Sequence, residues 1–124
     1  MTEPLALVLY EKLLPGSQLV NRLQDLNYRV QTISDPQLLV ECCEQTKPMV
    51  LLAEVRIGRQ DICPAVIRLK QNPATQHVPV IGFGDADVPN IQKEALAAGV
   101  TLLVSESALL NHLQECLEQA LRVE

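Results

Sequence analysis

The stretch Pro48-Met49-Val50-Leu51-Leu52-Ala53-Glu54-Val55 constrains the fold of this chain more than any other, because five apolar residues run unbroken into a single carboxylate. A short continuous apolar run suits a strand buried on both faces, as in a parallel sheet covered by helices. The segment that follows, Arg56-Ile57-Gly58-Arg59-Gln60-Asp61, is polar and contains a glycine. A carboxylate at the C-terminal end of such a strand stands at the sheet edge where open α/β folds place their ligands. Glu54 is therefore the first candidate functional residue.

The rest of the chain repeats the alternation. Leu5-Ala6-Leu7-Val8-Leu9-Tyr10 predicts a first buried strand, ending at Glu11-Lys12. Pro15 sits where a first helical turn tolerates proline, Leu19, Val20, Leu23 and Leu26 follow helical spacing, and Asn27 suits a left-handed stop. Tyr28 to Ile33 alternates apolar with polar residues, the pattern of a half-exposed or edge strand. Ser34-Asp35-Pro36 supplies a cap and a first-turn proline for a second helix, with Leu38, Leu39, Cys42 and Cys43 on its apolar face. After the central strand, a third helix is expected from about Cys63 to Asn72, carrying Val66, Ile67 and Leu69.

Val78 to Phe83 predicts a fourth strand, with proline tolerated near its start. Gly84 to Asp87 reads as a loop, and Pro89 opens a fourth helix with Ile91, Ala95, Leu96 and Ala98, closed by Gly99. Val100 to Val104 is the fifth strand. Ser107 is placed to cap a last helix with Leu110, Leu113, Leu117, Ala120 and Leu121 on its stripe. Five strand–helix repeats with short connections predict a single α/β domain over residues 1–124, a doubly wound (βα)5 three-layer sandwich of flavodoxin type. Its parallel five-stranded sheet is expected in the order 2-1-3-4-5, with right-handed crossovers.

Composition narrows the function. A net charge of −5 argues against nucleic acid as a partner, since phosphate binding needs a basic surface. Cys42, Cys43, Cys63 and Cys116 show no C-x-x-C spacing and read as buried free thiols of a reducing compartment. His77 and His112 have no Cys or His at ligand spacing and read as surface residues, so no metal site is expected. The N-terminus lacks a basic leader and a long apolar core, which predicts a cytoplasmic protein without a membrane span.

From Leu5 to Leu121 the chain resembles the receiver domain of two-component response regulators (CheY-like). Ile67-Arg68-Leu69-Lys70-Gln71-Asn72-Pro73-Ala74-Thr75-Gln76-His77-Val78-Pro79-Val80-Ile81 is similar to that family's third helix, loop and fourth strand, and Ala97-Ala98-Gly99-Val100 to the end of its fourth helix. The resemblance implies two acidic residues after strand one, a phosphoacceptor Asp ending strand three, a Thr or Ser ending strand four, and a Lys ending strand five. Here those positions fall on Tyr10 and Glu11, on Glu54, on Gly84 and on Ser105. The aromatic switch position falls on Leu102, and Glu106 stands where the family has proline after the Lys.

Phosphoryl transfer to a carboxylate needs Mg2+ held by further carboxylates, and groups that clamp the transferred phosphoryl. Of the acidic pair only Glu11 remains, Ser105 is uncharged and Gly84 has no hydroxyl. Glutamate also reaches one methylene further than aspartate, and a misplacement of about 1 Å can cost on the order of 10²-fold in rate. The expectation is a degenerate receiver (pseudo-receiver) with no enzymatic activity and no cofactor. It would stand alone, acting in signal transduction through a signalling protein partner or a homodimer formed by helix 4, strand 5 and helix 5.

Alternatives stay open at several residues. Glu54 is either a built-in mimic of the phosphorylated state or a tolerated carboxylate at a solvated strand end, and the site as a whole could keep a weak metal or phosphate response. Lys12, Arg56 and Arg59 either form a small anion site or balance the charges of Glu11, Glu54 and Asp61. A sensor of a small molecule such as a quinone or nucleotide could use the same pocket. A flavin protein of this architecture would need a phosphate cradle after strand one, where Glu11-Lys12-Leu13-Leu14-Pro15-Gly16-Ser17 supplies one Gly and one Ser.

Overall fold

The computed structural model describes residues 4–10, 13–54, 56–57, 60–84 and 89–121. Strand β1 (Leu5–Leu9) lies between β2 (Arg29–Ile33) and β3 (Val50–Glu54), and β3 in turn pairs with β6 (Val80–Phe83), which pairs with β7 (Leu102–Val104). Every one of these pairings is parallel. Setting aside a separate two-stranded hairpin, β4 (Arg56–Ile57) with β5 (Gln60–Asp61), the order is the expected 2-1-3-4-5. The hairpin lies in the polar segment after Glu54, for which the sequence predicts no element: Arg56 pairs with Asp61, and Ile57 with Gln60.

All five residues of β3 are buried, as a strand covered on both faces requires. Alternate side chains serve opposite layers. Leu7, Leu9, Leu51, Ala53 and Val80 join the core beneath α2 (Leu39–Thr46), α3 (Cys63–Gln71) and α4 (Pro89–Ala98). Ala6, Val8, Val50, Leu52, Ile81 and Phe83 join the core beneath α1 (Leu13–Asp25), α5 (Glu106–Asn111) and α6 (Leu113–Leu121). Strand β2, at the sheet edge, is mostly exposed.

Helix ends follow local chemistry. Asn27, at φ 70°, and Gly99, at φ 120°, adopt the left-handed stops that the sequence predicts, and Lys47 at φ 50° closes α2. Asp35 does cap a helical start, accepting the Gln37 N–H at 2.9 Å, but the turn it caps is a 3-10 segment, Pro36–Leu38, that leads into α2. At the end of α3 the Thr75 hydroxyl, fully buried, donates to the Leu69 carbonyl at 2.7 Å. That bond satisfies a carbonyl left over by the helix.

Several apolar assignments need correction. Leu38, Ile67 and Leu96 point to solvent, at 48%, 42% and 49% exposure, so the core faces of their helices are narrower than the apolar pattern suggests. Leu113 is buried as its place on the stripe predicts, and Leu109 joins it in the core. The last helix is not continuous: it breaks at His112, at φ −129° and ψ 35°, which separates α5 from α6. All four cysteines are free thiols, but only Cys43 and Cys116 are buried as expected, Cys42 and Cys63 being half-buried; His77 and His112 are exposed, as expected.

Candidate functional site

Because all five sheet strands are parallel, their C-terminal ends meet at one edge. Leu9 pairs with Ala53, Glu54 with Phe83, and Phe83 with Val104. Continuing those registers by one residue brings Tyr10, Glu54, Gly84 and Ser105 together along this edge. The chain crosses from β1 to its neighbours on either side here, at the topological switch point of the fold.

Glu54 is buried at 3% exposure, which excludes the reading of a carboxylate at a solvated strand end. By strand alternation it shares the face of Val50 and Leu52, the side covered by α1, α5 and α6. Among the described residues no buried side-chain nitrogen or oxygen lacks a hydrogen-bond partner, as the cost of desolvating polar groups demands. Tyr10 is half-buried, its ring against the same core and its N–H donating to the Ile33 carbonyl at 3.1 Å.

Gly84 adopts φ 91°, a region that β-branched residues avoid, and its N–H donates to the Val104 carbonyl at 3.2 Å. Leu102 is half-buried against the core and offers no aromatic ring. Ser105 is the N-cap of α5: its Oγ accepts the Ala108 N–H at 3.2 Å. That overturns the assignment of the cap to Ser107, whose Oγ lies 3.5 Å from that of Ser105. Both serines precede the helical pattern, and the extended backbone of Ser105, at ψ 160°, decides between them.

Glu11, Lys12 and Arg59 lie outside the described residues, and Arg56 is described by its backbone pairing alone. The suggested anion site and the surviving member of the acidic pair therefore rest on the sequence. Among the described residues no cluster of three His, Cys, Asp or Glu side chains could hold a metal ion.

Three of the thiols are chemically quiet. Burial pushes the Cys43 thiol up to about 12, and burial also raises Cys42 and Cys116. Raised thiols are weak nucleophiles at neutral pH. No helix among the described residues is long and apolar enough to cross a membrane.

No family profile and no curated protein matches this sequence. Solved structures do. A putative response regulator from Chloroflexus aurantiacus superposes with a TM-score of 0.88 at 15% identity, covering 98% of this chain and 100% of that one. The receiver domain of sensor histidine kinase PA1611 from Pseudomonas aeruginosa, determined with a magnesium ion coordinated in its active site cleft, superposes at 0.87 with 18% identity, covering 98% and 100%. Chemotaxis protein CheY4 of Vibrio cholerae superposes at 0.85 with 16% identity, covering 96% and 99%. At such identities the likeness is one of fold: the chain has the CheY-like, flavodoxin-type fold of receiver domains.

Proposed function

We propose that this chain is a degenerate receiver domain, acting in signal transduction as a protein-interaction module that works without phosphorylation. The observation that carries the reading is the backbone and bonding at the phosphoryl-clamping positions. Gly84 stands at a positive φ where a Thr would be strained, and the Ser105 hydroxyl is committed to capping α5. Neither residue supplies a cation or a free hydroxyl to a transferred phosphoryl group, and phosphoryl transfer depends almost entirely on such positioned charge. The domain catalyses nothing, takes no cofactor, and passes its signal to a protein partner.

The position of Glu54 at the end of β3, where receivers carry the phosphoacceptor, favours a further role for that residue as a stand-in for a phosphorylated acceptor. Its neighbours at the readout positions, Gly84 and Leu102, lack the hydroxyl and ring through which receivers sense phosphate. Glu54 would thus hold one conformation rather than switch between two. For a homodimer, exposed Leu96 on α4 and half-buried Leu102–Val104 on edge strand β7 offer a face.

Incubation with Mg2+ and acetyl phosphate, followed by intact mass measurement, tests the reading. The proposal expects no phosphoryl adduct. An acid-labile adduct lost in Glu54→Gln would overturn it.

A further inference from the structure

We infer that the groove between α1 and α6 is a docking site for a basic amphipathic helix of a partner protein. The inference rests on the reading of this chain as an interaction module, and it names a surface and a partner chemistry for it.

The groove follows from the break at His112. Before the break α5 packs against α1, and after it α6 lies over β3, β6 and β7 instead. α1 closes at Asp25, and Asn27 at φ 70° turns the chain so that Leu26 and Tyr28 come to the start of β2, both half-buried. α6 returns to the same end with Leu117 buried and Leu121 half-buried. Between them lies an open trough of about 500 Å3 lined by Leu26, Tyr28, Gln114, Leu117, Glu118 and Leu121. It shares Leu26 and Gln114 with a second hollow of about 240 Å3 that runs on past Arg22, Asp25 and Leu110. Since Leu26 and Tyr28 precede β2, this groove opens where the strands begin, opposite the edge that carries Glu54.

An open trough with an apolar floor between α6 and the chain just past the end of α1 takes the apolar face of a third helix, read as anchors spaced at i and i+3 or i+4. The rim sets the charge of that helix. Asp25 and Glu118 flank the floor, Glu115 stands on the adjoining turn, and among the described lining residues the cation is Arg22. Among the described residues Glu115 Oε1 lies 3.8 Å from His112 Nδ1, and no ion pair is found there at Asp25 or Glu118. The chain's net charge of −5 acts in the same direction. Lys or Arg beside Leu-type anchors would meet the acidic rim while the anchors fill the floor, and an acidic helix would be repelled.

The test uses a short synthetic amphipathic helix of Leu and Lys, with a Leu/Glu counterpart, titrated into the isotope-labelled protein and followed by amide NMR. The Leu/Lys peptide is expected to shift Leu26, Tyr28, Gln114, Glu118 and Leu121, and the Leu/Glu peptide to leave them in place. Double reversal in Asp25→Lys with Glu118→Lys should weaken binding roughly tenfold, as two rim charge pairs would. Leu121→Ser should weaken it at unchanged charge.

Equal binding of both peptides, or indifference to the charge reversal, would overturn the inference. Self-association abolished by Leu121→Ser would also overturn it, by assigning the groove to a second copy. Shifts confined to Leu96 and Leu102–Val104 would remove the groove while leaving the interaction module intact. Binding at the groove that needs Mg2+ and beryllofluoride would keep the groove and remove the phosphorylation-independent reading.

Discussion

The hydroxyl of Ser105 accepts the backbone N–H of Ala108 at 3.2 Å, so the residue at the end of β7 serves the first turn of α5 rather than the sheet edge. An N-cap bond of this kind is worth about 1 kcal/mol. Ser105→Ala should therefore lower the thermal midpoint by about 4 °C in a domain of this size. Ser105→Lys should lose the same stability and still take up no phosphoryl group. Thermal denaturation by circular dichroism, paired with mass measurement after acetyl phosphate, reads both outcomes.

Gly84 makes a similar point through the backbone. At φ 91° a threonine is both strained and β-branched, and such strain costs on the order of 1–3 kcal/mol. Gly84→Thr, which restores the hydroxyl of an active receiver, should destabilise the domain by that amount in urea unfolding. A Gly84→Thr variant as stable as the parent would contradict this account of the edge.

A second glycine is held by a different contact. A Cβ on Gly99 would stand 2.7 Å from Lys70 Cγ, and φ is 120°. Lys70 cannot easily give way, because its Nζ donates to the Val78 carbonyl at 2.6 Å and to the Gln76 carbonyl at 3.3 Å. Gly99→Ala should cost on the order of 1–3 kcal/mol, and Gly99→Ala with Lys70→Ala less than the sum of the two single changes, as coupled neighbours do. A double-mutant cycle by denaturant unfolding measures the difference.

Cys43 carries a pH dependence of definite sign. Burial lifts its thiol from the ordinary value of 9.0 to about 12, so in alkali the unfolded chain loses this proton first. The stability tied to Cys43 is complete below pH 9 and falls as pH rises towards 12. Urea unfolding of Cys43→Ala across this range should show a shallower alkaline decline than the parent, and identical slopes would contradict it. Cys43 should also resist iodoacetamide at pH 8 until the protein is unfolded.

Most of the fold was legible because its strands are dense apolar runs and its turns are marked by residues with special backbone needs. The β3 run, the left-handed Asn27 and Gly99, and the strand order all follow from such local signals. Leu38, Ile67 and Leu96 misled because an apolar residue beside a core stripe looks the same in sequence whether it packs or not. The hairpin of β4 and β5 has two residues in each strand, too few to show an alternation. Nothing in the sequence marks the break at His112, which has neither Pro nor Gly beside it, and so the groove beside α6 was hidden as well. At the site, the residue types at the strand ends, Glu54, Gly84 and Ser105, were readable one by one. The burial of Glu54 and the capping bond of Ser105 depend on how the chain turns after each strand, which residue type alone does not determine.

The central claim is that the strand edge carrying Glu54, Gly84 and Ser105 does not respond to a phosphoryl group. Amide NMR of the labelled protein with Mg2+ and beryllofluoride, a phosphoryl mimic, measures this directly. The account predicts unchanged shifts at Tyr10, Glu54, Gly84 and Ser105. Metal-dependent shifts at those residues, absent in Glu54→Gln, would show a working receiver site and contradict it.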